Sequence, residues 1–295
     1  MATVLLAGAS GDLGTRVARE LVARGADVRA LTRPGSGADR RAALEGLGAT
    51  VVEAGYDDAA ALRAACAGAD VVVSTVSGTR PVVVGAQTRL LEAAVAAGVP
   101  RFVPSDYSAD YRRVAPGSNR NFELRRDFAR VLDAAPIRST SVLNGMFTDL
   151  LTGEAPIVLA ERGRVLHWGD ADQRLDFTTR DDTAAYTAEV ALDGDAPRYL
   201  EVAGSSVSSR DLAATMTELT GRRFRLTWVG PVALLGLMAR VGRALSRDDE
   251  QPFPAWQGMQ YLHSMSSGVA QLGSLDNDRY GVRPWTSVRE VLAAG

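Results

Sequence analysis

The chain has 295 residues, 46% of them hydrophobic, and a formal charge of -2 from 33 basic and 35 acidic side chains mixed along its length. That is enough apolar material for one large α/β domain or for a nucleotide domain with an appended lobe, and the charge pattern offers neither a nucleic-acid stripe nor a polybasic membrane anchor. Every basic residue is arginine; the absence of lysine excludes Schiff-base chemistry, a lysine general base and a Tyr-Lys dyad.

The apolar run Thr3 to Ala7 reads as a strand, and the pattern from Leu13 to Arg24 as a helix. Between them lies Gly8-Ala9-Ser10-Gly11-Asp12-Leu13-Gly14, a G-x-x-G-x-x-G turn. Glycines there permit a tight strand-to-helix turn and close backbone approach to a pyrophosphate, and the helix N-terminus turns its positive dipole end toward that anion. Strand-like and helix-like segments then alternate. Asp27 to Thr32, Thr50 to Ala54, Asp70 to Thr75, Arg101 to Ser105 and Arg138 to Leu143 read as strands. Helices fall near Arg40 to Leu47, Asp58 to Cys66, Gly85 to Ala97 and Phe122 to Ala134. Continuous apolar runs such as Val71-Val72-Val73 suit strands buried on both faces, so the expected fold is a Rossmann-type α/β doubly wound parallel sheet.

After about residue 150 the rhythm changes to turn-rich sequence, short strands and helices near Ser209 to Thr220 and Val232 to Leu245. The expected partition is a nucleotide-binding domain over 1–150 and a smaller C-terminal substrate lobe over 151–295, with some elements returning to the first domain. Val232 to Leu245 is short and broken by Arg240 and Arg243, which makes it a packing helix and not a membrane span. The single Cys66 and the lack of a basic leader before the first strand point to a reducing, cytoplasmic setting. A monomer or homodimer acting on a small molecule is expected, without nucleic-acid or membrane partners and without a metal.

In such sheets ligands lie at the carboxyl ends of the strands, so the loops after Leu6, Leu31, Ser74 and Val103 are expected to line one cleft. Arg33 ends the second strand with no carboxylate at Leu31, Thr32 or Arg33, the pattern of a site that takes a 2'-phosphate, the alternative being one more solvated arginine among 33; NADP(H) is the expected cofactor. Candidate cofactor contacts are Gly8, Ser10, Gly11, Asp12, Leu13, Gly14, Arg33, Asp57, Ser74, Thr75, Val76 and Ser105. Asp57 has two readings, an acceptor for the adenine amino group or a helix N-cap.

Gly8 to Gly14, Arg33, Arg101-Phe102-Val103-Pro104-Ser105-Asp106-Tyr107, Phe122-Glu123-Leu124-Arg125 and Val142-Leu143-Asn144-Gly145-Met146-Phe147 occur in this order, followed by Asp176-Phe177-Thr178-Thr179-Arg180-Asp181-Asp182. With them the chain resembles the NmrA-like and isoflavone-reductase-like atypical short-chain dehydrogenases/reductases over most of its length. The resemblance implies an NADPH-binding domain, a cleft between lobes, and either reduction of a small molecule or cofactor sensing without turnover. Plant reductases of that group carry a lysine in Phe-x-x-Lys, and the matching position here is Arg125. A guanidinium stays protonated, so Arg125 can hold a ribose, phosphate or developing oxyanion but cannot abstract a proton.

Arg125, Tyr107 and Asn144 are the candidate catalytic residues. An unassisted phenol has a pKa of ~10, which suits Tyr107, or its neighbour Tyr111, to proton donation and poorly to base catalysis; both tyrosines also fit simple loop packing. Asn144 fits either the orientation of a substrate carbonyl or a helix cap. Tyr107, Phe147, His167 and Trp168 form the candidate substrate surface, although His167 taken alone reads first as a non-catalytic packing position. Hydride transfer to an already electrophilic quinone, enone or conjugated cation asks mainly for proximity and orientation, which suits this equipment. A redox-sensing regulator and a non-redox biosynthetic step on the same fold are the alternatives. Trp256, Met259 and Tyr261 read as core or lid packing.

Overall fold

A computed structural model describes residues 1–153, 157–246 and 251–294. The chain divides into two compact units, each made of three stretches: Met1–Asp106, Leu124–Val142 and Thr183–Leu200 build the first, and Tyr107–Glu123, Leu143–Asp182 and Glu201–Gly295 the second.

The first unit carries the parallel sheet. In chain order its elements are β1 (Thr3–Ala7), α1 (Asp12–Ala23), β2 (Asp27–Thr32), α2 (Ala38–Gly46), β3 (Thr50–Glu53), α3 (Ala59–Cys66), β4 (Val71–Ser74), α4 (Gln87–Ala96), β5 (Arg101–Val103), α5 (Arg120–Ala134) and β6 (Arg138–Ser139). The strands lie in the order β3-β2-β1-β4-β5-β6. Order therefore reverses between β1 and β4, the position where a doubly wound sheet opens a crevice at its carboxyl edge. Register aligns that edge: Ala7 sits beside Leu31 and Ser74, and Val73 beside Val103. Leu5, Ala7, Leu31, Val72 and Phe102 form one core with Leu62, Leu90, Leu91 and Phe128 from α3, α4 and α5. Val4 and Leu6, which strand alternation sends to the opposite face, are also fully buried.

The second half of the chain continues with β7 (Ser141–Leu143), β8 (Met146–Phe147), β9 (Val158–Leu159), β10 (Arg164–Trp168), β11 (Arg174–Thr178), α6 (Arg180–Leu192), β12 (Tyr199–Glu201) and β13 (Ser205–Ser208). It closes with α7 (Ser209–Thr220), β14 (Arg225–Gly230), α8 (Val232–Leu245), α9 (Ala255–Ser266) and α10 (Val288–Ala294). Most of α6 belongs to the first unit. There the buried Arg101 guanidinium donates to Val190 O and Ala191 O at 2.9 and 3.0 Å, satisfying last-turn carbonyls, and Arg24, the residue after α1, pairs with Glu189 at 2.9 Å.

The second unit holds two three-stranded sheets, β14-β10-β9 and β13-β11-β8. A capping box starts α7: Ser208 Oγ accepts from Asp211 N–H, and the Asp211 carboxylate from Ser208 N–H. Helix α8 turns Leu235 and Ala239 inward and packs on α9. Among the described residues no helix is long and apolar enough to cross a membrane, and no cluster of three metal-ligating side chains occurs.

One strand expected from Arg138 to Leu143 is two. Thr140 N–H still reaches Phe102 O at 3.1 Å, but Ser141 N–H turns to Arg198 O at 2.9 Å, so β6 pairs with β5 while β7 pairs with β12. Helix α4 is also preceded by a wide turn over Pro81–Ala86, bonded five residues back, where the sequence predicts a start at Gly85.

Candidate functional site

The turn after β1 is held by its own backbone: Gly11 N–H donates to Gly8 O at 2.9 Å, and Thr15 Oγ1 to Ala9 O at 3.0 Å. Gly8 has φ +78, a left-handed conformation that side chains resist, and an added Cβ would stand 2.8 Å from the Thr75 carbonyl carbon. At Gly14 the crossing is tighter, since a Cβ would meet Gly8 O at 2.1 Å. The loop after β4 is thus pressed against the turn after β1, with Thr75 N–H and Oγ1 both donating to Ala7 O at 2.9 and 3.0 Å. Gly11 is the N-cap of α1 and makes no side-chain hydrogen bond to the helix's first N–H groups. Ser10, Gly11 and Asp12 line an open groove there with Thr15, Arg16 and Arg19; Leu13 is half-buried beside them.

Along the same edge, Thr32 Oγ1 and Ser74 Oγ are buried without a hydrogen-bond partner among the described residues. Arg33 is exposed just beyond Thr32, where its carbonyl accepts from Ser36 N–H and Oγ at 3.1 and 2.7 Å. Its charge acts on Tyr56, whose hydroxyl burial pushes up to about 12 while Arg33 pulls in the opposite direction. Ser105 N–H donates to Gln87 Oε1 at 3.0 Å and Ser105 Oγ to Val76 O at 2.8 Å, which ties the loops after β5 and β4 together. Asp57 is not a helix cap. Asp58 fills that role, its carboxylate accepting from Ala61 N–H at 2.9 Å, while Asp57 points outward and pairs with Arg89 at 3.3 Å.

Arg125 lies half-buried on α5 in the first unit. The other acceptor-side candidates belong to the second. Tyr107 and Tyr111 are both buried. Asn144 is fully buried and caps no helix, because it stands between β7 and β8. Its backbone N–H donates to Ser108 O at 3.0 Å and its carbonyl accepts from Thr178 Oγ1 at 2.8 Å. Tyr261 joins the same two loops: its hydroxyl accepts from Ala109 N–H at 3.0 Å and donates to Gly145 O at 3.2 Å, with the ring edge-on to Phe122 at 5.0 Å. Phe147 carries the Arg180 guanidinium over its ring at 5.4 Å.

His167 and Trp168 are neighbours on β10 and would face opposite ways on a regular strand. The β10–β14 register shifts between them, and both line one small crevice with Leu166, Asp170, Gln173 and Leu262. His167 Nδ1 and Trp168 Nε1 have no hydrogen-bond partner among the described residues. Phe147 is not part of that crevice lining.

The family model described as the NmrA-like family matches residues 1–248. The chain belongs to the NmrA-like family. It is 30% identical over 244 residues to pinoresinol reductase 1 of Arabidopsis thaliana, covering 76% of each chain. Among solved structures it is similar to leucoanthocyanidin reductase from Vitis vinifera, in a binary complex with NADPH, at a TM-score of 0.81 and 19% identity over 99% of both chains. It is also similar to an NADPH-dependent quinone oxidoreductase from Escherichia coli, at a TM-score of 0.75 and 20% identity over 99% of this chain and 98% of that one. Both likenesses are in fold.

Within this NmrA-like chain, two features fit a dinucleotide: the start of α1, where the N-cap glycine makes no side-chain hydrogen bond, and the buried hydroxyls of Thr32 and Ser74, unpartnered among the described residues. Sequence reasoning missed Thr32, Gln87 and the bridging hydroxyl of Tyr261. Gln87 had a legible signal, being the one polar residue on a helix face otherwise made of Val83, Leu90, Leu91 and Ala94.

Proposed function

We propose that this NmrA-like protein is an NADPH-dependent reductase of a planar conjugated small molecule, such as a quinone, an enone or a related aromatic metabolite. The observation that carries the reading is the Gly8–Gly14 turn packed on Thr75 at the sheet's switch point, with the buried Thr32 and Ser74 hydroxyls unpartnered among the described residues. Gly8, Ser10, Gly11, Asp12, Leu13 and Gly14 would hold the pyrophosphate, Arg33 the 2'-phosphate, Asp57 the adenine, and Ser74, Thr75, Val76 and Ser105 the middle of the cofactor. When bound, NADPH supplies the hydride. In this reading the loops at the carboxyl edge of the parallel sheet bind the cofactor, and Tyr107, Phe147, His167 and Trp168 are the acceptor contacts. Asn144 orients an acceptor carbonyl, Tyr107 donates a proton, and Arg125 stabilises negative charge without acting as a base. The named activities of the relatives, on pinoresinol, leucoanthocyanidin and quinone, support an aromatic acceptor.

The absence of lysine favours a second reading, cofactor binding without turnover. One experiment separates them: after a fluorescence titration establishes NADPH binding, NADPH consumption is followed against a panel of quinones, enones and conjugated cations. Multiple acceptor-dependent turnovers establish the reductase. Binding with no consumption, together with partner capture that depends on cofactor redox state, establishes the sensor, and product formation without net cofactor change would instead mark a non-redox step.

A further inference from the structure

Gln87 is the first residue of α4 and is completely buried. Over Pro81–Ala86 the preceding turn is wound wide, so that Gln87 N–H reaches Val82 O, five residues back, and Val84 O. Val83 O, the partner a regular α-helix would give it, instead accepts from the Gln87 side-chain Nε2 at 2.6 Å. The other end of the same amide, Oε1, accepts from Ser105 N–H at 3.0 Å. Ser105 Oγ continues to Val76 O at 2.8 Å, and Thr75 closes the series on Ala7 O, the residue before Gly8. One buried amide thereby joins α4, the loop after β5, the loop after β4 and the glycine turn, all within the first unit.

Packing alone does not call for an amide here. Val83, Leu90, Leu91 and Ala94 make the rest of this face apolar, and a methionine or leucine would fill the same space without desolvating a polar group. What the amide supplies and neither of those side chains does is a donor for Val83 O and an acceptor for Ser105 N–H at once, which sets the wide turn and the β5 loop in register.

We infer that Gln87 is a positioning residue for the cofactor site, holding Ser105 and the 74–76 segment in the arrangement that receives NADPH. The inference rests on the NADPH-binding reading above, and its test separates the two. Affinity for NADPH is measured by fluorescence titration, and stability by urea unfolding, for wild type, Gln87→Met, Ser105→Ala and Leu90→Ala. Leu90 is fully buried on the same helix and belongs to none of these hydrogen bonds, so Leu90→Ala reports what loss of packing alone does. Gln87→Met is expected to weaken NADPH binding about tenfold or more, and Ser105→Ala about fivefold. Leu90→Ala should lose at least as much stability as Gln87→Met yet bind NADPH within about threefold of wild type. In the double variant Gln87→Met with Ser105→Ala, the two losses should be markedly less than additive, because both act through one chain of bonds. Wild-type affinity in Gln87→Met, or an equal loss in Leu90→Ala, overturns the inference. Should Gln87→Met fail to fold, Gln87→Leu decides, and wild-type affinity there overturns it. Failure of the wild-type protein itself to bind NADPH removes the functional reading and this inference with it.

Discussion

Substituting Gly14 by alanine separates two physical arguments that predict opposite signs. Gly14 lies in the first turn of α1, and helix propensity alone makes Gly→Ala stabilising by about 1 kcal/mol. The structure places the added methyl 2.1 Å from Gly8 O, 2.8 Å from Gly8 C and 2.7 Å from Thr75 Oγ1, where ordinary contact begins at 3.4 Å. Relief requires α1 and the turn after β1 to part by ~1.3 Å, the difference between the ordinary contact and the 2.1 Å approach. The obstacle is backbone, not the far end of a flexible side chain, so the overpacking cost belongs at the upper end of its usual range of about 1–3 kcal/mol. A net loss of roughly 2 kcal/mol remains after the propensity gain. Gly11 is the internal control. Its φ of -81 and ψ of 168 suit any residue, and a Cβ there meets only Gly8 O at 3.3 Å. Gly11→Ala should therefore cost less than about 1 kcal/mol, chiefly the poorer capping by alanine. Equilibrium urea unfolding followed by circular dichroism measures both, and NADPH titration of the folded variants should show the greater loss for Gly14→Ala. A Gly14→Ala protein as stable as wild type, or a Gly11→Ala protein equally damaged, would refute the close crossing of α1 over the turn.

Arg33→Ala should weaken NADPH roughly ten- to a hundredfold while leaving NADH within about threefold, as expected for one charge-assisted contact to a 2'-phosphate; equal loss of both in paired titrations would remove Arg33 from cofactor choice. Tyr261→Phe keeps the ring beside Phe122 but leaves Ala109 N–H and Gly145 O without their shared partner. The expected cost is about 1–3 kcal/mol, with faster amide exchange at Ala109 as the local readout, and unchanged exchange would argue against the bridge. Burial pushes the Tyr56 hydroxyl from 10.0 up to about 12. The folded state then keeps this proton when the unfolded chain has lost it, so its contribution is complete below about pH 10 and falls as pH rises toward about 12, by roughly 2–3 kcal/mol. Tyr56→Phe should show a flatter decline in stability over that window, and tyrosinate absorbance should lose a late-titrating group in the variant; parallel pH profiles would contradict the burial.

The parallel α/β order and the position of the glycine turn were legible because their signals are local. Thr3–Ala7 and Val71–Ser74 are continuous apolar runs, Gly8, Gly11 and Gly14 are spaced within one turn of chain, and Ser209–Thr220 and Val232–Leu245 form helices with the predicted bounds. Such features follow from backbone freedom, side-chain periodicity and capping among residues a few positions apart. Tertiary structure decided the rest. Nothing near Thr140 announces that the chain leaves Phe102 for Arg198 at the next residue, because the choice depends on a partner 57 positions away. Asp57 and Asp58 are chemically alike, and only the geometry of α3 selects Asp58 as the cap. A register shift against β14 turns His167 and Trp168 into one crevice, and distant carbonyls and amides give Gln87 and Tyr261 their roles. Local sequence by itself determined which segments become strands, helices and the glycine turn; which buried polar atoms meet was decided only when burial forced each of them to find a partner.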